Sequence, residues 1–109
     1  MSGVSGAVEL RFTIDDRAGG DAIVDALLRD RLIACAQRLG PVVSRYRWQG
    51  AVEQAEEWLY VCKTAAARVD DVIAAVRAAH PYDTPEIVVS ELTDGLSAYL
   101  DWIAAETTG

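Results

Sequence analysis

The hydrophobic positions of the chain switch between two periods, and the order of the switches outlines a fold. In AVELRFTI, Ala7 to Ile14, the side chains of Val8, Leu10, Phe12 and Ile14 alternate with Glu9, Arg11 and Thr13, which predicts a half-buried strand. Ile23, Val24, Leu27 and Leu28 then recur at helical spacing, and Asp15 or Asp16 is suited to cap that helix. Gly19 and Gly20 weaken its first turn. Beyond it, Val42 to Trp48 sets Ser44, Tyr46 and Trp48 against Val43, Arg45 and Arg47. Gln49-Gly50 reads as a tight turn, and Val52 to Thr64 runs on with Trp58, Tyr60 and Cys62 opposite Leu59, Val61 and Lys63. This predicts a long antiparallel hairpin. Its tip, Tyr46 to Glu57, is too polar to bury fully and too aromatic for plain surface.

A second helix is predicted over Arg68 to Ala79 from Val69, Val72, Ile73, Val76 and Ala79, and Pro81 cannot continue it. Glu86 to Leu92 (EIVVSEL) reads as another strand, Asp94-Gly95 as a turn, and Leu96, Tyr99, Leu100 and Ile103 as a short third helix. The order is β-α-β-β-α-β with a terminal helix. Right-handed crossovers put two helices on one face of a four-stranded antiparallel sheet, the α+β arrangement called ferredoxin-like. One face of the sheet and the protruding hairpin are then left uncovered, which predicts association between identical subunits.

Composition narrows the function. The 109 residues are expected to form a single domain, 1–109. Hydrophobic residues at 51% and charged ones at 25% describe a globular chain. A net charge of −7, from 17 acids and 10 bases, argues against nucleic acid and against anionic membranes as partners. No apolar run approaches the ~18 residues that cross a bilayer. The N-terminal MSGVSGAVELRF lacks the basic start and apolar stretch of a secretory signal, so the expected location is cytoplasmic. Cys35 and Cys62 stand apart and in no CxxC, so both are expected to be buried thiols rather than a disulfide or zinc knuckle.

Five stretches together resemble one family: IACAQ (Ile33 to Gln37), SRYRWQGAVE (Ser44 to Glu53), CKT (Cys62 to Thr64), HPYDTPEI (His80 to Ile87) and YLDWI (Tyr99 to Ile103). In that order and spacing they resemble the CutA, or divalent-cation tolerance, family. The resemblance spans nearly the whole chain. It implies a ferredoxin-like subunit in a tight homotrimer similar to the signalling PII proteins, each long hairpin extending a neighbour's sheet. It also implies a part in tolerance of copper and other divalent metals, with no established catalysis and no required cofactor. On this reading Tyr46, Trp48, Glu53 and Trp58 belong to the trimer interface, and Arg45 and Arg47 with Glu53, Glu56 and Glu57 pair with another chain. Lys63, His80, Tyr82, Glu86 and Trp102 are expected to line a cleft between subunits.

His80 is the only histidine, and it admits three readings: a metal ligand, a cleft residue, or a structural group beside a helix C-terminus. Copper-binding members that this sequence resembles can carry a second histidine before HPY and a thiol on the first strand. Here those places hold Ala79 and Phe12, leaving His80 with Cys35 as the remaining soft donor and any copper or other divalent cation held weakly. The structural reading has His80 donating to the last carbonyls of its own helix. Ser44, His80 and an aspartate make a triad only on paper, without a nucleophile elbow. Gly19-Gly20 lacks a phosphate-loop pattern and stands among Asp15, Asp16 and Asp21, which repel phosphate. That trio reads as a solvated helix start before a cation site. Two functional alternatives remain beside the assembly protein: a PII-like small-molecule sensor, and a small enzyme with His80 as base beside Glu86.

Overall fold

The structure, a computed structural model, describes residues 5–108; residues 1–4, on which part of the N-terminal reading rests, and residue 109 lie outside it. The alternating stretch at the start forms β1 (Ala7–Ile14), and α1 (Arg17–Arg29) follows from Asp16. Asp16 occupies the N-cap position, but its side chain makes no capping bond; its backbone carbonyl accepts from the Gly20 amide at 2.9 Å. Then come β2 (Cys35–Trp48), β3 (Ala51–Ala65), a 3₁₀ turn (Ala66–Arg68), α2 (Val69–Ala79), β4 (Ile87–Leu92) and α3 (Ser97–Glu106). Leu96, expected on the third helix, precedes it and is exposed.

The strands form one antiparallel sheet in the order β2-β3-β1-β4, which is the predicted ferredoxin-like α+β arrangement. Leu10, Phe12 and Ile14 of β1 and Tyr60 and Cys62 of β3 face Ile23 and Leu27 of α1 and Val72 and Val76 of α2 in one buried cluster. The opposite face carries only α3, packed on β3 and β1 at one end. Elsewhere on that face Leu39 and Val88 remain exposed.

The second strand is longer than its sequence suggests. β2 begins at Cys35, not Val42, because the chain passes through Gly40-Pro41 on a bulge: Leu39 pairs with Leu59, and the next pair is Val42 with Glu57. A bulge absorbs extra residues and bends the strand without ending it. At the far end the predicted tight turn is present. Trp48 pairs with Ala51 across Gln49 and Gly50, whose φ values are 50° and 83°. Positive φ at both central residues is the hairpin turn that matches strand twist, and glycine takes it without strain.

Tyr60 fixes α1 against the sheet. Its ring is stacked on Phe12 with centroids 5.0 Å apart and planes 8° from parallel. Its hydroxyl lies 2.8 Å from Asp21 Oδ1 and 3.0 Å from the Arg17 carbonyl. Arg38 holds the same carboxylate through both oxygens, at 2.8 and 2.9 Å. Hydrogen bonding from Tyr60, then from Arg38, lowers the Asp21 carboxyl below the ordinary value. Burial, reinforced by the bond to Asp21, pushes the Tyr60 hydroxyl up from 10.0 to about 12. This contact needs glycine at position 20, where a Cβ would sit 2.5 Å from Tyr60 Cζ and Oη.

Two outcomes follow from this contact. Gly20→Ala forces either α1 or the buried Tyr60 ring to move, and urea unfolding at fixed chain concentration is expected to show a loss of about 1–3 kcal/mol. The Tyr60 hydroxyl is favoured neutral in the folded state, so its contribution is complete below the ordinary tyrosine value of 10.0 and is lost as pH rises toward about 12. Melting temperature is expected to fall across that window, and less steeply in Tyr60→Phe.

Candidate functional site

α2 stops at Ala79 because His80 turns to extended backbone, φ −82° and ψ 137°, ahead of Pro81. The His80 ring is buried, and it does not serve the carbonyls of its own helix. Its Nε2 lies 2.7 Å from the Thr13 carbonyl at the end of β1, and its Nδ1 accepts the Tyr82 amide at 3.1 Å. A carbonyl can only accept and an amide can only donate, so the ring is the Nε2–H tautomer with both nitrogens engaged. The backbone N–H of His80, by contrast, reaches Arg77 at 3.4 Å. His80 ties the end of a helix to the end of the central strand and holds the next loop by its first amide.

That loop brings Tyr82 edge-on to the His80 ring, with centroids 4.5 Å apart. Tyr82 donates its hydroxyl to Glu57 Oε2 at 2.8 Å. Burial, then the bond to Glu57, drives the Tyr82 hydroxyl above the ordinary tyrosine range. Between this loop, the end of β1 and the protruding part of the hairpin lies a groove of about 640 Å³. Tyr82 and Glu86 line it from the loop, and Tyr46, Trp48, Glu53 and Glu57 from the hairpin. Its charge is one-sided: Asp15 and Asp83 add to the three glutamates, with Arg45 as the cation. Five residues expected in two different roles, Tyr46, Trp48, Glu53, Tyr82 and Glu86, therefore share one groove.

Trp58 does not join them. Side chains alternate along a strand, and Trp58 packs against the helix-covered core from the opposite face of β3 to Glu57. Lys63 stands six residues beyond Glu57, roughly 20 Å along an extended strand. There it pairs in register with Cys35 and donates to Gln37 Oε1 at 3.3 Å. Trp102 stacks on Tyr99 at 5.6 Å, and the Tyr99 hydroxyl meets Cys35 Sγ at 3.4 Å. That bond, then burial, raises the Tyr99 hydroxyl. Cys35 is only half-buried, unlike Cys62, whose thiol burial pushes up to about 12. The expected cleft residues thus fall into two clusters at opposite ends of the sheet within one chain.

The residues at the implied metal positions do come together. The Phe12 ring meets the His80 ring edge-on with centroids 6.3 Å apart. Phe12 brings a carbon surface where the resemblance implies a thiol, Ala79 brings a methyl, and both His80 nitrogens are committed. Among the described residues no three histidine, cysteine, aspartate or glutamate side chains converge on a point suited to a metal ion. The donor set of a single chain does not fit a resident metal. Glu57 and Asp15 were not singled out for the groove by spacing; the available signal was an acid at position 57 on the strand face that continues to Leu59.

Known proteins carry the same pattern. The family of the CutA1 divalent ion tolerance protein matches residues 9–106. The divalent-cation tolerance protein CutA of Thermus thermophilus is 36% identical over 96 residues, covering 88% of this chain and 93% of its own length. The chloroplastic protein CutA of Arabidopsis thaliana is 30% identical over 101 residues, 93% of this chain and 56% of that relative. The crystal structure of CutA from Xylella fastidiosa superposes with a TM-score of 0.91 at 35% identity, covering 94% of this chain and 98% of its own. None of these names denotes a reaction. With the fold, the extent of the match and these identities in agreement, the chain belongs to the CutA1 divalent ion tolerance family.

Proposed function

We propose that the protein is a non-enzymatic homotrimer of the CutA type, acting in tolerance of divalent metal ions, copper among them, with the clefts between subunits as its ligand sites. The observation that carries this reading is the hairpin. β1 pairs with β3 only as far as Ile14 opposite Trp58, so from Ala51 to Glu57 one edge of β3 has no strand beside it. A row of free backbone groups beside exposed aromatic side chains is a template for strand addition. Tyr46 and Trp48, 40% and 45% exposed, supply the apolar area that such a contact buries.

Assembly also accounts for the divided cleft. Lys63 and Trp102 of one copy reach Tyr82 and Glu86 only if a neighbour brings its far end to them. The engagement of both His80 nitrogens speaks against a general base, and the carboxylates of the groove speak against nucleotide phosphates as ligand. Metal ions on this reading meet carboxylate-bearing surface and are held weakly. The reading places the protein in the cytoplasm, where a reducing pool keeps Cys35 and Cys62 as the free thiols they are. Among the described residues no helix is long and apolar enough to cross a membrane.

Light scattering at micromolar concentration is expected to give three times the chain mass of 11.8 kDa. A mass equal to one chain would end the assembly reading. Titration with copper, zinc and cadmium is expected to show weak binding without a defined end point. One tightly held copper per chain, lost in a His80→Ala variant that keeps its circular-dichroism spectrum, would overturn the account of His80 as a structural tie.

A further inference from the structure

The tautomer of His80 leaves no place for a second ring proton. Its Nε2–H is engaged by the Thr13 carbonyl at 2.7 Å, and its Nδ1 lone pair receives the Tyr82 amide at 3.1 Å. An imidazolium carries a hydrogen on each nitrogen and accepts nothing. A proton arriving at Nδ1 therefore meets the Tyr82 N–H hydrogen to hydrogen, and the amide has to leave. The Thr13 side is indifferent, because its carbonyl accepts from Nε2–H in either form of the ring. Only the Tyr82 side of the contact reads the proton.

What Nδ1 holds is one wall of the groove. Residues 81–86 run from α2 to β4 as neither helix nor strand. They are tied at Tyr82, whose amide meets His80 and whose hydroxyl donates to Glu57 Oε2 at 2.8 Å. Irregular backbone with little hydrogen bonding opens at low cost. The charged groups that bear on the ring are mostly of one sign. Asp15 stands beyond Thr13 at the end of β1, Glu57 reaches the ring through Tyr82 from β3, and Asp83 and Glu86 belong to the loop. Arg77, in the last turn of α2, is exposed, and Arg45 lines the groove from the hairpin. Carboxylates attract a proton to this place, while the bond to Tyr82 bars it from the one nitrogen that could take it.

We propose that His80 is a proton-operated latch on the groove: a proton taken from solvent at Nδ1 displaces the Tyr82 amide, releases residues 81–86 and frees Tyr82 to leave Glu57. The latch is closed with the ring in its Nε2–H form and opens on acidification. It gives the groove a regulated wall, and it is a property of a single chain, independent of how subunits assemble.

His80 is the only histidine, so its ring gives a single set of imidazole resonances. Nuclear magnetic resonance of the isotope-labelled wild type, from pH about 8 to about 5.5 across the ordinary histidine value of ~6.5, follows that ring and the Tyr82 amide together. The ring nitrogens are expected to report the Nε2–H tautomer at the upper end. Protection of the Tyr82 amide against hydrogen exchange, corrected for the intrinsic pH dependence of exchange, is expected to fall by about tenfold as the ring gains its proton. His80→Asn places a carbonyl oxygen that does not titrate where Nδ1 stands, suited to accept the same amide two residues on. That variant is expected to keep Tyr82 protected throughout. A ring that titrates while Tyr82 stays protected, or that stays neutral across the range, overturns the latch. So does a loss of protection that persists in His80→Asn, because it then belongs to the carboxylates of the groove. Should His80→Asn not fold, the coincidence of the two wild-type curves decides alone. A monomeric wild type would end the assembly reading and leave the latch untouched.

Discussion

The contact between Tyr60 and Gly20 sets the distance between the first helix and the sheet, and the rest of the subunit is arranged around that distance. Tyr60 lies flat on Phe12 of the central strand, and its hydroxyl meets the first turn of α1 at Asp21 and the Arg17 carbonyl. Only a residue without Cβ admits the ring so close to the helix backbone. Gly20, one of the two glycines that weaken the start of α1 as an isolated helix, is therefore what lets it dock. Local propensity gives way to packing, since a buried aromatic contributes more than a glycine costs.

The same stack reaches the loop that shapes the groove. Phe12 meets His80 edge-on, His80 meets Tyr82, and Tyr82 holds Glu57 of the hairpin. A chain of rings thus runs from the core to the base of the ribbon. His80 is the turning point because it is satisfied on both sides: the Thr13 carbonyl takes its proton and the Tyr82 amide fills its lone pair. A histidine so placed is a strut. The resemblance to metal-tolerance proteins is carried by these residues, but in this chain the atoms they present to one another are carbon and already-paired nitrogen.

The hairpin is the part that the rest of the fold covers least. It outruns β1, so from Ala51 to Glu57 one edge of β3 has no strand beside it among the described residues, next to exposed aromatic faces and carboxylates. A two-stranded ribbon is marginal in water when nothing packs on it. On the proposed reading, contacts between copies are what cover it.

Periodicity alone determined the order of elements, because strands and helices with one buried side repeat their apolar residues at two distinct intervals. Leu10, Phe12, Tyr60, Cys62, Val72 and Val76 were legible as interior for that reason, and Gln49-Gly50 as a turn because positive φ there favours such a pair. The start of β2 was not legible: Cys35 to Leu39 lacks clean alternation, and Gly40-Pro41 looks like a break, while pairing with β3 carries the strand through it. Nor did the sequence show where α1 ends, since Arg31 takes φ 58° with neither glycine nor proline to mark it. Only the tertiary structure decided that His80 serves Thr13 rather than its own helix, that Trp58 packs against the core from the face opposite Glu57, and that Glu57 lies buried beside Tyr82. Each of these depends on residues far apart in the chain meeting across the sheet, and local spacing holds no record of such distances.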